Sequence, residues 1–476
     1  KFNAEVNIML KFYSYRAPFL EKWNARMLKS DDATKGLFDD RAEKAMLDMH
    51  LEFKYSDSYR SIYSYEKLLD GLNAFSKAPN EGWRKLTSGA RIARRQFANN
   101  TPDKLKALRL DDPKLYKKAD IKGDKSAGLT AYGKTKLEGW EEALRLAILI
   151  LTEGKAPHPC LTGTRTQKNG KTRVIWSYPA EMMLIEALIA RPLIQHFASD
   201  YRGVMAIAKT SGQMGAQFNE ISNESPIVTG IDQSQFDAHV KASHIHMSFD
   251  ILKTWFDLDQ EVYDNVKVSD VFDIVERYFI TTPIVFPTPK GPALVLGKKG
   301  GVPSGSYFTQ MIDSIVNYAI ISDALVATGT SFKRQHLFVL GDDSLVFTRE
   351  KPNLHAISQH LKEMGYIAHG PEKSGQWRAN KEFEFLGRKW INFKPTRTVQ
   401  DIADRALYPE RWRQYNDNWL IEAERLIRSY GLTAYIKGTA FDRKDIFVDP
   451  SRNSGYIKYL AREGLLPSAV QAMTLW

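Results

Sequence analysis

Leu340-Gly341-Asp342-Asp343-Ser344-Leu345-Val346-Phe347 is the stretch on which the fold is read. Apolar runs at 337–340 and 345–347 flank it, and Gly-Asp-Asp is turn chemistry. The segment therefore reads as a β-hairpin with two acids at its tip. Adjacent like charges on a tight turn repel each other and add nothing to a core. A divalent cation relieves that cost, and Mg²⁺ characteristically takes one or two carboxylates plus substrate phosphates. Taken alone, the pair is better explained as a solvated surface turn.

A second segment of the same design stands upstream, Ile227-Val228-Thr229-Gly230-Ile231-Asp232-Gln233-Ser234-Gln235-Phe236-Asp237. An apolar strand runs into Asp232, and Asp237 follows one helical turn later. An N-cap role explains either acid singly, but not their combination with Asp342. Two strands that each end in a carboxylate can lie side by side and clamp two ions about 3.5–4 Å apart, the arrangement that stabilises an in-line phosphoryl displacement. Between the two acidic segments lies Gly300-Gly301-Val302-Pro303-Ser304-Gly305-Ser306-Tyr307-Phe308-Thr309, a small-residue loop able to approach a ligand closely. It runs into a helical pattern with an apolar stripe at Met311, Ile312, Ile315 and Val316. Thr309, Asp313 and Asn317 recur every four residues on one polar face.

In order and spacing these segments resemble the viral RNA-dependent RNA polymerases. Asp232 with Asp237 is similar to the first palm motif of that family, residues 301–317 to the second, and Gly341-Asp342-Asp343 to the third. Gly-Val-Pro-Ser-Gly-Ser followed by Thr309 and Asp313-Ser314 is most similar to double-stranded RNA viruses of the partitivirus and picobirnavirus group. The resemblance extends outward. Thr164 to Ile175, with the turn Asn169-Gly170, looks like the basic fingers hairpin, and it implies that Arg165, Lys168, Lys171 and Arg173 face the nucleotide triphosphate. Ser126-Ala127-Gly128, with Lys134 and Lys136, resembles the loop that holds the template. Lys373, after Gly365-Tyr366, matches the lysine thought to protonate the leaving pyrophosphate. Phe383 to Trp390, with Arg388 and Lys389, looks like the hairpin that grips the primer strand.

The family implies an α+β right-hand polymerase of the closed-ring type, with fingers, palm and thumb and an antiparallel palm sheet packed on helices. The expected divisions are an N-terminal helical extension over 1–110 bridging fingers and thumb, fingers over 111–224, and palm over 225–254. A fingers insert follows over 255–299, then palm again over 300–395 and thumb over 396–476. Helical patterns occur around 181–197, 411–430 and 454–466. The implied reaction is template-directed RNA synthesis with two Mg²⁺ ions, for which Mn²⁺ can substitute. Asp232 and Asp342 would bind the ions with Asp343 assisting, and Asp237, Ser304, Gly305, Thr309, Asp313 and Asn317 would seat the nucleotide. The implied partners are RNA template and product, nucleoside triphosphates and a viral capsid protein, with a monomeric enzyme at work inside the viral particle in the host cytoplasm. One position departs from many positive-strand virus enzymes: Asp313 stands where they carry Asn, so either Asp313 or Asn317 reads the ribose.

Composition agrees. Against 56 Asp and Glu stand 67 Lys and Arg, for a formal charge of +11. Residues 81–136 alone hold fifteen basic and six acidic side chains beside the template loop, which suits a phosphate-tracking channel. The single cysteine, Cys160, excludes an internal disulfide and a cysteine-rich zinc site. No uncharged apolar run approaches the ~20 residues of a membrane-spanning helix. The start reads without a secretory signal, because the apolar stretch at 6–10 is short and broken by Asn7. Two other classes compete. A reverse transcriptase also pairs aspartates on a hairpin, but it usually has an aromatic where Gly341 stands and lacks the Ser-Gly helix. A non-enzymatic RNA-binding or capsid protein needs the basic surface but leaves the carboxylates unexplained.

Overall fold

A computed structural model describes residues 10–32, 36–56, 61–76, 83–167, 170–415 and 417–431. The Asn169 turn with Lys168, and the helical pattern at 454–466, lie outside the described residues.

The centre of the molecule is a four-stranded antiparallel sheet in the order Leu337–Leu340, Asp343–Thr348, Ile227–Gly230, Gly375–Arg378. Leu337, Phe338, Val339, Leu345, Val346, Phe347 and Val228 are buried, and β-branched and aromatic side chains of this kind suit a pleated, enclosed surface. The helix Thr309–Ala327 packs beside the sheet. Its residues are buried on every side from Met311 to Leu325, among them the polar Asp313, Ser314, Asn317, Ser322 and Asp323. Helix Ser88–Phe97 crosses it so tightly that a Cβ at Gly89 would stand 1.9 Å from the Ala319 carbonyl oxygen. Asp323 secures this crossing from within the central helix. Its Oδ1 accepts the N–H groups of Thr87 (3.1 Å) and Gly89 (2.8 Å), which otherwise have no partner at a helix start. Its Oδ2 lies 3.0 Å from His360 Nε2.

Aromatic rings link a second small sheet, Glu382–Phe385, Arg388–Ile391 and Lys394–Thr396, to the central one. Phe218 touches Phe338, Phe347, Phe383 and Trp390 at centroid separations of 4.9 to 5.5 Å. A five-stranded mixed sheet runs Lys11–Ser14, Ala293–Leu296, Ile284–Phe286, Cys160–Gln167, Lys171–Ser177. The chain between the two acidic segments thus returns, through Ile284–Phe286 and Ala293–Leu296, to pair with the basic hairpin.

The N-terminal region spans two parts of the molecule. Helix Asp40–Asp48 shares a separate apolar cluster with helices Val399–Leu407 and Trp419–Gly431, through Ala42, Met46, Ile402, Leu407 and Ile427. Arg413 and Tyr415 both donate to Asp39 Oδ2 (2.7 and 2.6 Å). A little further on, the Ser64 N–H donates to Thr172 Oγ1 (3.1 Å) and Lys67 Nζ to the Gly170 carbonyl (2.6 Å), both on the basic hairpin. Where the sequence pattern starts a helix near 411, the structure has irregular chain, and the helix begins at Trp419. Among the described residues no helix is long and apolar enough to cross a membrane.

Candidate active site

The acidic hairpin closes with a two-residue loop, since Leu340 pairs with Asp343. Gly341 takes the first loop position with φ +62°, a conformation glycine adopts without strain. Asp342 occupies the tip. Asp343 does not: the short loop draws it into the strand, where the sequence reading had placed both acids in the turn. Leu345 pairs with Gly230 on the neighbouring strand, and the same antiparallel register carried two residues on brings Asp343 level with Asp232.

Asp232 lies just past its strand and is held by its backbone. Its N–H donates to Ser374 Oγ (3.1 Å) and its carbonyl accepts the His369 N–H (3.0 Å). Gln233–Ser234 then pairs with Ile367–Ala368. Gln235, at φ +52°, turns the chain into the short helix Phe236–His239 that carries Asp237. The Asp237 carbonyl in turn accepts the Val302 N–H (2.8 Å), which fastens the glycine loop to this helix.

Asp232, Asp342 and Asp343 all reach solvent, but from a recess in which the surrounding protein withdraws hydration. Burial, then the Asp342 and Asp232 charges, push Asp343 up to about 7. Burial and then Asp342 push Asp237 up to about 6, with Arg173 opposing. Asp342 is raised by burial and by Asp232, again against Arg173. Asp313 is raised well above the usual range by burial, then by Asp237 and Asp342. The acids of all three motifs therefore feel one another, and Arg173 on the basic hairpin reaches the same field.

This donor set fits a hard divalent cation: carboxylate oxygens, mutually repelling and short of countercharge. Among the described residues no three His, Cys, Asp or Glu side chains converge into a ready-made cage. The acids match an ion whose remaining ligands are phosphate and water.

The glycine loop is clamped from the opposite side. Ser304 Oγ accepts the Trp176 N–H (3.2 Å). Gly305 lies so close that an added Cβ would stand 1.8 Å from the Trp176 carbonyl oxygen. Glu186, fully buried on helix Ala180–Ser199, accepts from Ser306 Oγ (2.7 Å) and from the Tyr307 N–H (2.8 Å). Burial pushes this carboxyl up to about 8. Sequence reasoning missed Glu186; the available signal was an acid inside the apolar run from Met182 to Ala190.

The polar face of the central helix divides. Thr309 Oγ1 donates to Pro303 and Ser306 carbonyls in its own loop (2.6 and 3.0 Å). Asn317 is fully buried, with its amide engaged by Gln233 and the Gly341 carbonyl. Asp313 Oδ1 is buried without a hydrogen-bond partner in the protein, so of the two candidates for the ribose, Asp313 has the uncommitted atom.

The outlying residues are placed unevenly. Arg165, opposite Arg173 on the hairpin, pairs with Glu410 (3.1 Å), near the C-terminal helices. Lys171 and Arg173 are exposed on the basic hairpin. Ser126 bridges Thr135 in a small loop docked on Tyr178 and Pro179 through Gly128; Lys134 on it is exposed, and Lys136 is half-buried. Lys373 Nζ donates to His369 Nε2 (3.4 Å), and that histidine also bonds Ser234 Oγ (2.7 Å) and lies 3.6 Å from Asp232 Oδ2. His369 and Ser374 therefore belong to the surroundings of Asp232, though the sequence singled out Lys373 for a role. Lys389 faces Glu382 (3.6 Å), and Arg388 keeps a buried Nη1 without a protein acceptor.

Comparison with known proteins agrees with this geometry. The family described as viral RNA-dependent RNA polymerase matches residues 158–443, more than half of the chain. The RNA-directed RNA polymerase of Cryptosporidium parvum virus 1 is 31% identical over 199 residues, 40% of this chain and 35% of that protein. The RNA-directed RNA polymerase of Atkinsonella hypoxylon virus is 29% identical over 153 residues, 30% of this chain and 23% of that one. The matches thus span about a third or less of these relatives. The crystal structure of a human picobirnavirus RNA-dependent RNA polymerase superposes with a TM-score of 0.70, over 98% of this chain and 94% of that one, at 14% identity. The fold is the right-hand polymerase fold, and the chain belongs to the viral RNA-dependent RNA polymerases.

Proposed function

We propose that this chain carries out template-directed RNA synthesis, replicating and transcribing a viral genome that is double-stranded RNA. The observation that carries the reading is the strand register, Leu340 opposite Asp343 and Leu345 opposite Gly230, by which the Asp342-Asp343 turn lies beside the strand end that leads into Asp232. The central sheet and residues 225–254 and 300–395 act as palm, 111–224 with the 255–299 insert as fingers, 396–476 as thumb, and 1–110 as the extension joining fingers to thumb.

Asp232 and Asp342, assisted by Asp343, would hold two Mg²⁺ ions, or Mn²⁺ in their place. Such ions lower the pKa of the primer 3′-hydroxyl and neutralise charge on the α-phosphate. The chain's own groups do the rest. Arg173 and Lys171 steady the triphosphate, with Arg165 and Lys168 further along the same hairpin. Asp313, whose Oδ1 has no hydrogen-bond partner in the protein, reads a ribose hydroxyl where many related enzymes carry Asn. Asp237 and the Ser304-Gly305 loop shape the nucleotide seat, and Thr309 keeps that loop closed. Lys373 protonates the leaving pyrophosphate. Ser126, Gly128, Lys134 and Lys136 guide the template, and Arg388 and Lys389 the primer strand. The enzyme works as a monomer with RNA and nucleoside triphosphates, beside a capsid protein within the particle in the host cytoplasm.

The test is extension of a short RNA on an RNA template, with rNTPs or dNTPs and Mg²⁺. Wild type should extend with rNTPs, while Asp342→Ala and Asp232→Asn lose extension yet still bind RNA. Extension by Asp342→Ala at the wild-type rate refutes the proposal, and preference for dNTPs makes the chain a reverse transcriptase. Salt-dependent RNA binding with no Mg²⁺-dependent synthesis leaves a binding protein only.

A further inference from the structure

Asn317 and Ser314 lie three residues apart on one face of the central helix, and both reach the backbone of the same residue, Gly341. The Gly341 N–H donates to Ser314 Oγ (2.9 Å), and Asn317 Nδ2 donates to the Gly341 carbonyl (3.0 Å). Ser314 Oγ itself donates to the Gln310 carbonyl (2.6 Å). On its other side, Asn317 Oδ1 accepts from Gln233 Nε2 (2.8 Å). Gln233, Ser314 and Asn317 are all buried. Gln233 directly follows Asp232, and Gly341 directly precedes Asp342.

We propose that Asn317 is a positioning residue that joins the strand end bearing Asp232 to the turn bearing Asp342, and so sets the separation of the two carboxylates. The inference rests on the assignment of those two acids as the cation-binding pair. The geometry makes the device specific. The central helix, enclosed on every side, is the stiffest nearby support. One helical turn of it grips both backbone polar groups of a single residue, and so holds the peptides on either side of Gly341. Gln233 then ties the second acid to the same side chain. With both amide atoms engaged, Asn317 is committed to spacing, while Asp313 one turn earlier keeps a free oxygen for the nucleotide. Separation matters because the paired ions act only at about 3.5–4 Å from each other, and a shift of about 1 Å in a reacting group can cost about 100-fold in rate.

The test uses Asn317→Leu, which keeps the branched shape and removes both bonds, and Ser314→Ala, which removes one hydroxyl. Mn²⁺ binding to the resting protein, without RNA or nucleotide, is followed by paramagnetic resonance, and single-nucleotide incorporation is measured alongside. Both variants should bind Mn²⁺ about tenfold or more weakly. The incorporation rate should fall about 100-fold for Asn317→Leu, less for Ser314→Ala, and recover in part at high Mn²⁺. KM for rNTPs and the rNTP-to-dNTP preference should stay at wild-type values. Loss of that preference with wild-type Mn²⁺ binding overturns the proposal and makes Asn317 a ribose reader. Unchanged Mn²⁺ binding and rate in both variants also overturns it. Should Asn317→Leu fail to fold, Ser314→Ala decides on the same readouts. Asp342→Ala runs in parallel: if it extends RNA normally, the acid assignment itself has failed, whatever Asn317 does.

Discussion

Replacing Gly305 by Ala tests how firmly the loop beside the acids is seated. The new Cβ would stand 1.8 Å from the Trp176 carbonyl oxygen and 3.1 Å from its carbon. Ordinary contact begins near 3.4 Å, so the two chains must part by more than about 1.5 Å. Trp176 cannot yield readily, because its side chain is buried and its backbone is paired with Thr162 on the next strand. The loop therefore moves, and it takes with it the Ser304 acceptor of the Trp176 N–H and the Ser306 donor to Glu186. Overpacking of this kind costs about 1–3 kcal/mol, and a buried acceptor left unpaired adds about 1–3 kcal/mol. Incorporation should drop about 100-fold if the loop is, as proposed, one wall of the nucleotide seat. The assay is single-turnover incorporation on folded protein, checked by circular dichroism. Gly212→Ala is the control. It lies in helix Ser211–Ser222 with Thr210 Oγ1, at 4.0 Å, the nearest atom to an added Cβ, so it should gain about 0.4–1 kcal/mol and keep wild-type rate. A folded Gly305→Ala protein with wild-type incorporation refutes this account of the loop.

Glu186→Gln should change how stability depends on pH. The folded carboxyl, raised by burial to about 8 from 4.5, holds its proton where the unfolded one has lost it. Its contribution is full below about 4.5, declines as pH rises, and is gone above about 8. Between pH 5 and 9 the variant should therefore gain on wild type by a few kcal/mol, on the order set by linkage. Parallel urea-denaturation profiles for the two proteins would count against the burial argument. Asp323→Ala should lose about 2–4 kcal/mol, because the Thr87 and Gly89 N–H groups lose their acceptor at a buried helix start. Amide exchange in Ser88–Phe97 should rise in that variant, and unchanged protection there would show that Asp323 does not cap the helix.

The local readings were legible because turn chemistry and side-chain periodicity act over a few residues. Gly341-Asp342 between two apolar runs specifies a hairpin wherever it sits in space, and the apolar stripe from Met311 specifies a helix. The order of the acidic segments and the glycine loop pointed to the polymerase family without coordinates. What periodicity does not carry is the identity of the partner on the far side of a face. Asn317 and Asp313 look alike as members of one polar stripe, yet one is bound to Gln233 and Gly341 and the other keeps an unpaired oxygen. Glu186 meets Ser306 across 120 residues of chain, and Arg165 turns to Glu410 across 245. Asp343 enters the strand because the register with Leu340 leaves only two residues for the loop. The sequence by itself determined which local elements form and which chemistry they offer. Tertiary structure alone decided which polar atoms are consumed in holding the site together, because those bonds join segments that meet only when the core has packed.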